Sequence, residues 1–224
     1  LSLPAWIRGS YLIREFARHL QGLRARQGRR ELPVVQTGKS SWEVACKPGT
    51  ALTLDYAVYA GDASVRTAWL DASRGFFNAT SLCLRAEGLT HHAHTLELTA
   101  PKTRPHWQVA TGLTAVRVDP RGFGLYGAAD YDELADCPFE LGTFWVGQFK
   151  AGGVPHRFVV AGATAAFDGE RLLADTKTLC ETAIRFWHGR GKPPHKSYVF
   201  MLKAVDDSYG GLEHRNSTAL ICGR

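Results

Sequence analysis

The sequence predicts a mainly β protein: an N-terminal β-sandwich over residues 1–150, then a partial α+β domain with one long helix over residues 151–224. Three observations carry this. Short stretches of alternating or β-rich composition recur through the first 130 or so residues, with turn signals between them. A single long amphipathic helix pattern lies over 168–188. The last 75 residues run strand, helix, strand and then a glycine motif.

The elements follow in order. "YLIREFARHLQGL" has apolar residues at 12, 13, 16, 17, 20 and 23, a helical spacing, yet "HLQGLRARQGRRELPVV" also reads as strand, Gly-containing turn and strand. A short irregular turn followed by a hairpin is the preferred reading. Strands are expected at "SWEVACK" (41–47), "ALTLDYAVYA" (51–60), "TLELTA" (95–100), "HWQVAT" (106–111) and "TAVRVD" (114–119). "KPGT", "AGDAS", "DASRG", "APKTRP" and "DPRGFG" are turns. "ADYDELADCPFELG" (129–142) reads as a polar connector, with Asp130 or Asp132 capping one helical turn that Cys137-Pro138 ends. "TFWVGQF" and "HRFVVAG" are strands. Leu172, Leu173, Thr176, Leu179, Cys180, Ala183, Ile184 and Trp187 then form the apolar stripe of a helix capped by Asp168 and ended by Gly189 and Pro193. "SYVFMLKAV" is the strand that follows.

The chain carries a net charge of +6, and the excess is local: residues 1–50 hold nine Lys and Arg against three acids, while the remainder holds 18 of each. Arg24, Arg26, Arg29 and Arg30 concentrate it. No nucleic-acid-binding motif surrounds them, so a solvated hairpin tip is expected and no nucleic-acid partner. No apolar run approaches the length of a membrane span, and no membrane partner is expected. The five cysteines are widely spaced with no C-x-x-C, which fits buried free thiols in a reducing, cytoplasmic compartment.

Chemistry-bearing motifs are few. "HHAH" (91–94) has no carboxylate or Cys at ligand spacing, and neither H-E-x-x-H, G-x-S-x-G, a P-loop nor a dinucleotide fingerprint occurs. Asn78-Ala79-Thr80 and Asn216-Ser217-Thr218 match the glycosylation pattern. Six tryptophans allow an alternative reading, a stand-alone β-sandwich binding module for glycan or protein, which predicts a solvent-facing row of aromatics and fails if Trp6, Trp42, Trp69 and Trp107 are all buried. The strongest candidate is "YGGLEH" (209–214). A strand carrying Gly210 and Gly211 lets a second backbone approach, and Glu213 can accept charge-assisted hydrogen bonds from an ammonium group. A plain Gly-Gly turn fits the same residues equally well.

Four segments in order bear a resemblance that separates these readings. "LPAWIRGSYLIREFARHL" (3–20), "VYAGDASVRTAWLDASRGFFNATSLCL" (58–84), "ADYDELADCPFELGTF" (129–144) and "YGGLEHRNST" (209–218) resemble blocks of the glycyl aminopeptidases, gluzincin-type zinc metallopeptidases that often carry a C-terminal PDZ domain. The resemblance covers almost the whole chain. It implies a saddle-like N-terminal β-domain followed by a thermolysin-like catalytic domain. Gly210, Gly211, Leu212 and Glu213 would line the cleft as a substrate-binding strand, with Glu213 on the α-ammonium of a peptide N-terminus. No role is implied for His214.

The resemblance also places a zinc motif downstream of "YGGLEH", and none occurs before Arg224. The chain therefore reads as an inactive fragment of an aminopeptidase that removes Gly or Ala from peptides. No catalytic residue and no metal ligand would be present, and zinc would be the cofactor of the longer parent. A strand or more would also be missing ahead of "LPAWI", leaving unpaired edges open to self-association.

Overall fold

The computed structural model describes all 224 residues. After an N-terminal loop, a 3₁₀ turn (Phe16–His19) leads into the hairpin of β1 (Leu20–Gln27) and β2 (Arg30–Leu32). The helical spacing over 12–23 goes unused. Gly22 sits at φ 62° and forms a bulge in β1, a conformation that suits glycine and breaks a helix. There follow β3 (Val35–Gly38), β4 (Ser41–Glu43), β5 (Thr53–Val58), β6 (Ala68–Leu70) and β7 (Arg74–Phe77). A turn of helix, α1 (Ala79–Leu82), precedes β8 (His94–Leu98), β9 (Gln108–Thr111), β10 (Thr114–Val118) and β11 (Gly124–Ala128). Then come α2 (Tyr131–Ala135), β12 (Phe139–Gly142), β13 (Trp145–Ala151), β14 (Val154–Ala161) and α3 (Gly169–His188). The chain closes with β15 (Tyr198–Val205), β16 (Gly210–Glu213) and β17 (Ser217–Gly223).

The strands form sheets in the orders β2-β1-β5, β10-β11-β8, β6-β7-β12-β9 and β13-β14-β15-β17-β16, with β3-β4 as a small hairpin. In the five-stranded sheet β14, β15 and β17 run parallel, and the outer strands β13 and β16 are antiparallel to their neighbours. α3 supplies the crossover between the parallel strands β14 and β15. The fold is thus mainly β, as expected.

The connector over 129–142 needs one correction. Asp130 caps α2 by accepting from Glu133 N at 2.7 Å, but Pro138 is followed at once by β12, a central strand. Phe139 is fully buried, stacked on Phe77 with centroids 4.8 Å apart. Glu140 lies beside it, also buried, paired to buried Arg74 by two bonds of 2.6 Å. An acid in mid-strand reads as surface; its counterion, 66 residues away, lets it be core.

α3 is capped as expected, Asp168 accepting from Arg171 N at 2.9 Å, and it lies on β13 with Leu173 over Gly147. Leu172, Leu173, Thr176, Cys180 and Ile184 are half-buried. Leu179, Ala183 and Trp187 of the expected stripe face solvent instead, because the sheet covers a narrower strip of the helix than the apolar pattern spans.

Both glycosylation-type sequences are structural. Asn78 is buried and donates to Val65 O at 2.9 Å, and Asn216 donates to Gly112 O at 2.7 Å. The arginine cluster lies on the β1–β2 hairpin, with Arg26 paired to Asp55. Trp42 and Trp107 are buried, Trp69 is half-buried and Trp6 is exposed, so the four tryptophans do not form one solvent-facing row. No helix is long and apolar enough to cross a membrane.

Candidate functional site

β16 is the outer strand of the five-stranded sheet, so the glycine motif forms an edge and not a plain turn. His214 N donates to Ser217 O at 2.9 Å, which sets the phase of the β16–β17 ladder. Antiparallel pairs alternate, so Gly210 and Leu212 face β17 with their backbone groups, while those of Gly211 and Glu213 point out. One outward group is already engaged: Arg66 Nη2 donates to Gly211 O at 3.3 Å.

Side chains alternate as well. Leu212 is fully buried in an apolar cluster with Leu3, Ile7, Phe16, Val65, Phe76 and Ala219. Gly211 and Glu213 share the opposite face, and the Glu213 side chain is exposed. A Cβ on Gly211 would stand 3.5 Å from Glu213 Oε1 and 3.3 Å from Leu220 Cδ2, so the missing side chain keeps the carboxylate clear. At Gly210 a Cβ would meet nothing within 4 Å. Gly9, at φ 78°, fits beneath the strand, where a Cβ would come within 2.9 Å of Leu212 Cδ1.

Next to Glu213, His214 anchors the strand end. Its buried ring approaches Asp136 with Nδ1 at 3.0 Å from Oδ1, while Nε2 is buried without a partner. Arg215 Nε reaches the same carboxylate at 3.4 Å, and Arg8 Nη1 lies 3.7 Å away. Burial, the largest influence, pushes the Asp136 carboxyl up, but the His214 and Arg215 interactions outweigh it and hold its pKa below the usual carboxylate range. Across the sheet, Thr218 pairs with Glu213 and is hydrogen-bonded to the Tyr198 hydroxyl. Burial raises the Tyr198 pKa; the Thr218 hydrogen bond opposes that rise, and the charges of Cys180 and Glu213 add to it.

The structure thus brings the four expected residues, Gly210, Gly211, Leu212 and Glu213, onto one strand edge. It gives Leu212 a packing role, and it adds Arg66, Asp136, His214 and Tyr198, which the sequence reading left without roles. Arg66 and Asp136 lie inside the quoted blocks 58–84 and 129–144, but nothing local in those blocks points to residue 211 or 214. The histidines at 91–94 do not assemble into a cluster: His94 Nδ1 contacts His92 O at 2.7 Å and its ring packs on Tyr131. Nowhere do three or more His, Cys, Asp or Glu side chains group to hold a metal ion.

Residues 1–143 match the model of the Peptidase M61 N-terminal domain. The crystal structure of an aminopeptidase N family protein from Idiomarina loihiensis superposes on the chain with a TM-score of 0.94 at 45% identity. That alignment covers 100% of this chain and 37% of the other, so the present chain spans little over a third of that protein's length. A mutant M1 zinc metallopeptidase from Deinococcus radiodurans, bound to a Tyr-Ser-Ala substrate, gives a TM-score of 0.52 at 14% identity, covering 89% of this chain and 50% of its own. At that identity the likeness is one of fold. Curated proteins provide no match.

Proposed function

The chain belongs to the Peptidase M61 N-terminal domain family, a metallopeptidase family, and from that premise we propose that it is part of a zinc-dependent aminopeptidase that removes Gly or Ala from peptide N-termini. On this reading residues up to about 150 form the N-terminal β-domain and the remainder opens the catalytic domain. Catalytic residues and zinc ligands belong to other parts of the longer parent, which also carries the PDZ domain. The residues of this chain do not fit a zinc site. Their task is recognition.

The observation that carries the reading is the free β16 edge ending in an exposed carboxylate. A peptide adding to that edge meets the outward N–H groups of Gly211 and Glu213, and its α-ammonium meets the Glu213 carboxylate. Because Arg66 already donates to the carbonyl of Gly211, a substrate N–H in that register shares this acceptor with Arg66, while a substrate carbonyl accepts from the outward amides of the strand. A charge-assisted hydrogen bond to the ammonium group is worth about 1.5–3 kcal/mol, or about 10–150-fold in affinity.

The test is Glu213→Ala in the longer parent, assayed on glycyl p-nitroanilide. A rise in KM with a fall in kcat/KM of that order supports the role. An unchanged KM refutes it.

A further inference from the structure

A cleft of about 470 Å³ opens between the ends of β7 and β12 on one side and the ends of β14 and β15 on the other, with the 103–107 loop as its rim. Arg74, Arg104, His106 and Lys203 line it, and no Asp or Glu does. Lys203 pairs across the sheet with Ile221, which pairs with Gly210, so its side chain leaves the face opposite Glu213.

The acids nearest the cleft are already saturated. Glu140 is locked to Arg74 by two bonds of 2.6 Å. Asp71 accepts from Ser73 N at 2.7 Å, Ser73 Oγ at 2.8 Å, Arg74 N at 2.8 Å and Trp69 Nε1 at 3.1 Å. Arg104 is fixed in place, its Nε donating to Ala72 O at 2.7 Å and its Nη1 to Thr103 O at 3.0 Å, which leaves Nη2 free. The half-buried Lys203 ammonium has neither a hydrogen bond nor an ion pair. Two cations with spare donors therefore share a partly dehydrated cleft that holds no free counterion.

We propose that this cleft binds a small oxyanion, a carboxylate or a phosphate, between Lys203 and Arg104. The ligand supplies the acceptors that the wall lacks, and the Thr143 hydroxyl completes the polar lining. The surroundings of Lys203 favour a negative charge beside it. Burial, and after it the positive charge of Arg74, lower its pKa, the Glu140 and Asp71 carboxylates oppose them only in part, and a bound anion would oppose them further.

The experiment titrates the 224-residue chain with inorganic phosphate and, separately, with succinate. Chloride holds the ionic strength constant, and the amide shifts of Thr143 and Gly162 are followed by NMR. Saturable shifts are expected for at least one probe, with half-saturation at or below about 10 mM, an affinity of roughly 2.7 kcal/mol. Saturation by phosphate alone assigns a phosphate ligand, and by succinate alone a carboxylate. Lys203→Met and Arg104→Gln should each weaken binding about tenfold, the loss of one charge-assisted hydrogen bond. Arg104 lies on the rim loop, so its variant reads out even where Lys203→Met perturbs folding. Absence of saturable shifts with both probes overturns the proposal, as does saturation that Arg104→Gln leaves unchanged.

Discussion

Asp136→Ala tests how the glycine strand is held. The carboxylate is 6% exposed and serves a His214 side chain that is 0% exposed. Its removal leaves both ring nitrogens of a buried imidazole without a protein partner, since Nε2 has none already. Orphaning a buried polar group costs about 1–3 kcal/mol. Arg8 and Arg215, with side chains 53% and 41% exposed, lose counter-charge worth under about 1 kcal/mol in all. The sum is about 1–4 kcal/mol, a Tm decrease of roughly 2–16 °C for a chain of this size. The effect is pH-dependent. The folded Asp136 pKa lies below its unfolded value of about 3.9, so the carboxylate's contribution is complete above that pH and is lost as pH falls through the folded value. Thermal denaturation from pH 7 to pH 3 should show the gap between wild type and variant closing on the acid side. Hydrogen exchange at Leu212 should quicken in the variant at pH 7. A gap below about 0.5 kcal/mol, within the scatter of ordinary surface substitutions, or one that persists unchanged at pH 3, would refute the latch.

Three further outcomes follow from buried groups. Arg74→Met strands the Glu140 carboxylate in the four-stranded sheet and should cost about 3–5 kcal/mol by chemical denaturation, whereas adding Glu140→Leu should recover most of it. Burial lowers the His156 pKa, with the Val154 carbonyl partly opposing it, so the unfolded chain takes up its proton first. Stability should therefore fall as pH drops below 6.5, and His156→Phe, which keeps the stacking on Phe149, should flatten that slope. Burial pushes the Cys83 thiol up to about 11 and the Cys137 thiol up to about 12, so iodoacetamide at pH 8 should modify exposed Cys46 first, half-buried Cys83 far more slowly and buried Cys137 only on unfolding; equal rates in the folded protein would contradict these raised values.

Patterns of short range were legible. The α3 span, its Asp168 cap and its Gly189 stop follow from residues within one or two turns of each other. The alternating strands β5, β8 and β15 carry their burial in their own period, whereas β10 forms where its alternation predicts but is exposed along its whole length. Strand β12 was not legible, since a buried glutamate has the sequence signature of a surface one until Arg74 is placed beside it. β17 was missed as well, its "STALICG" masked by the glycine motif ahead of it.

The same division runs through the candidate site. The sequence by itself determined that "GGLE" is a backbone stretch without bulk that ends in a carboxylate, because composition alone decides what side chains are absent and which one can ionise. Only the tertiary structure decided that this stretch is an outer strand, that Leu212 is its anchor, and that Arg66 caps one of its outward carbonyls. Contacts such as Arg66 to Gly211 and Asp136 to His214 join residues 145 and 78 positions apart. No local periodicity encodes such a pairing, because it is set by which sheet edges pack together once the apolar clusters have closed.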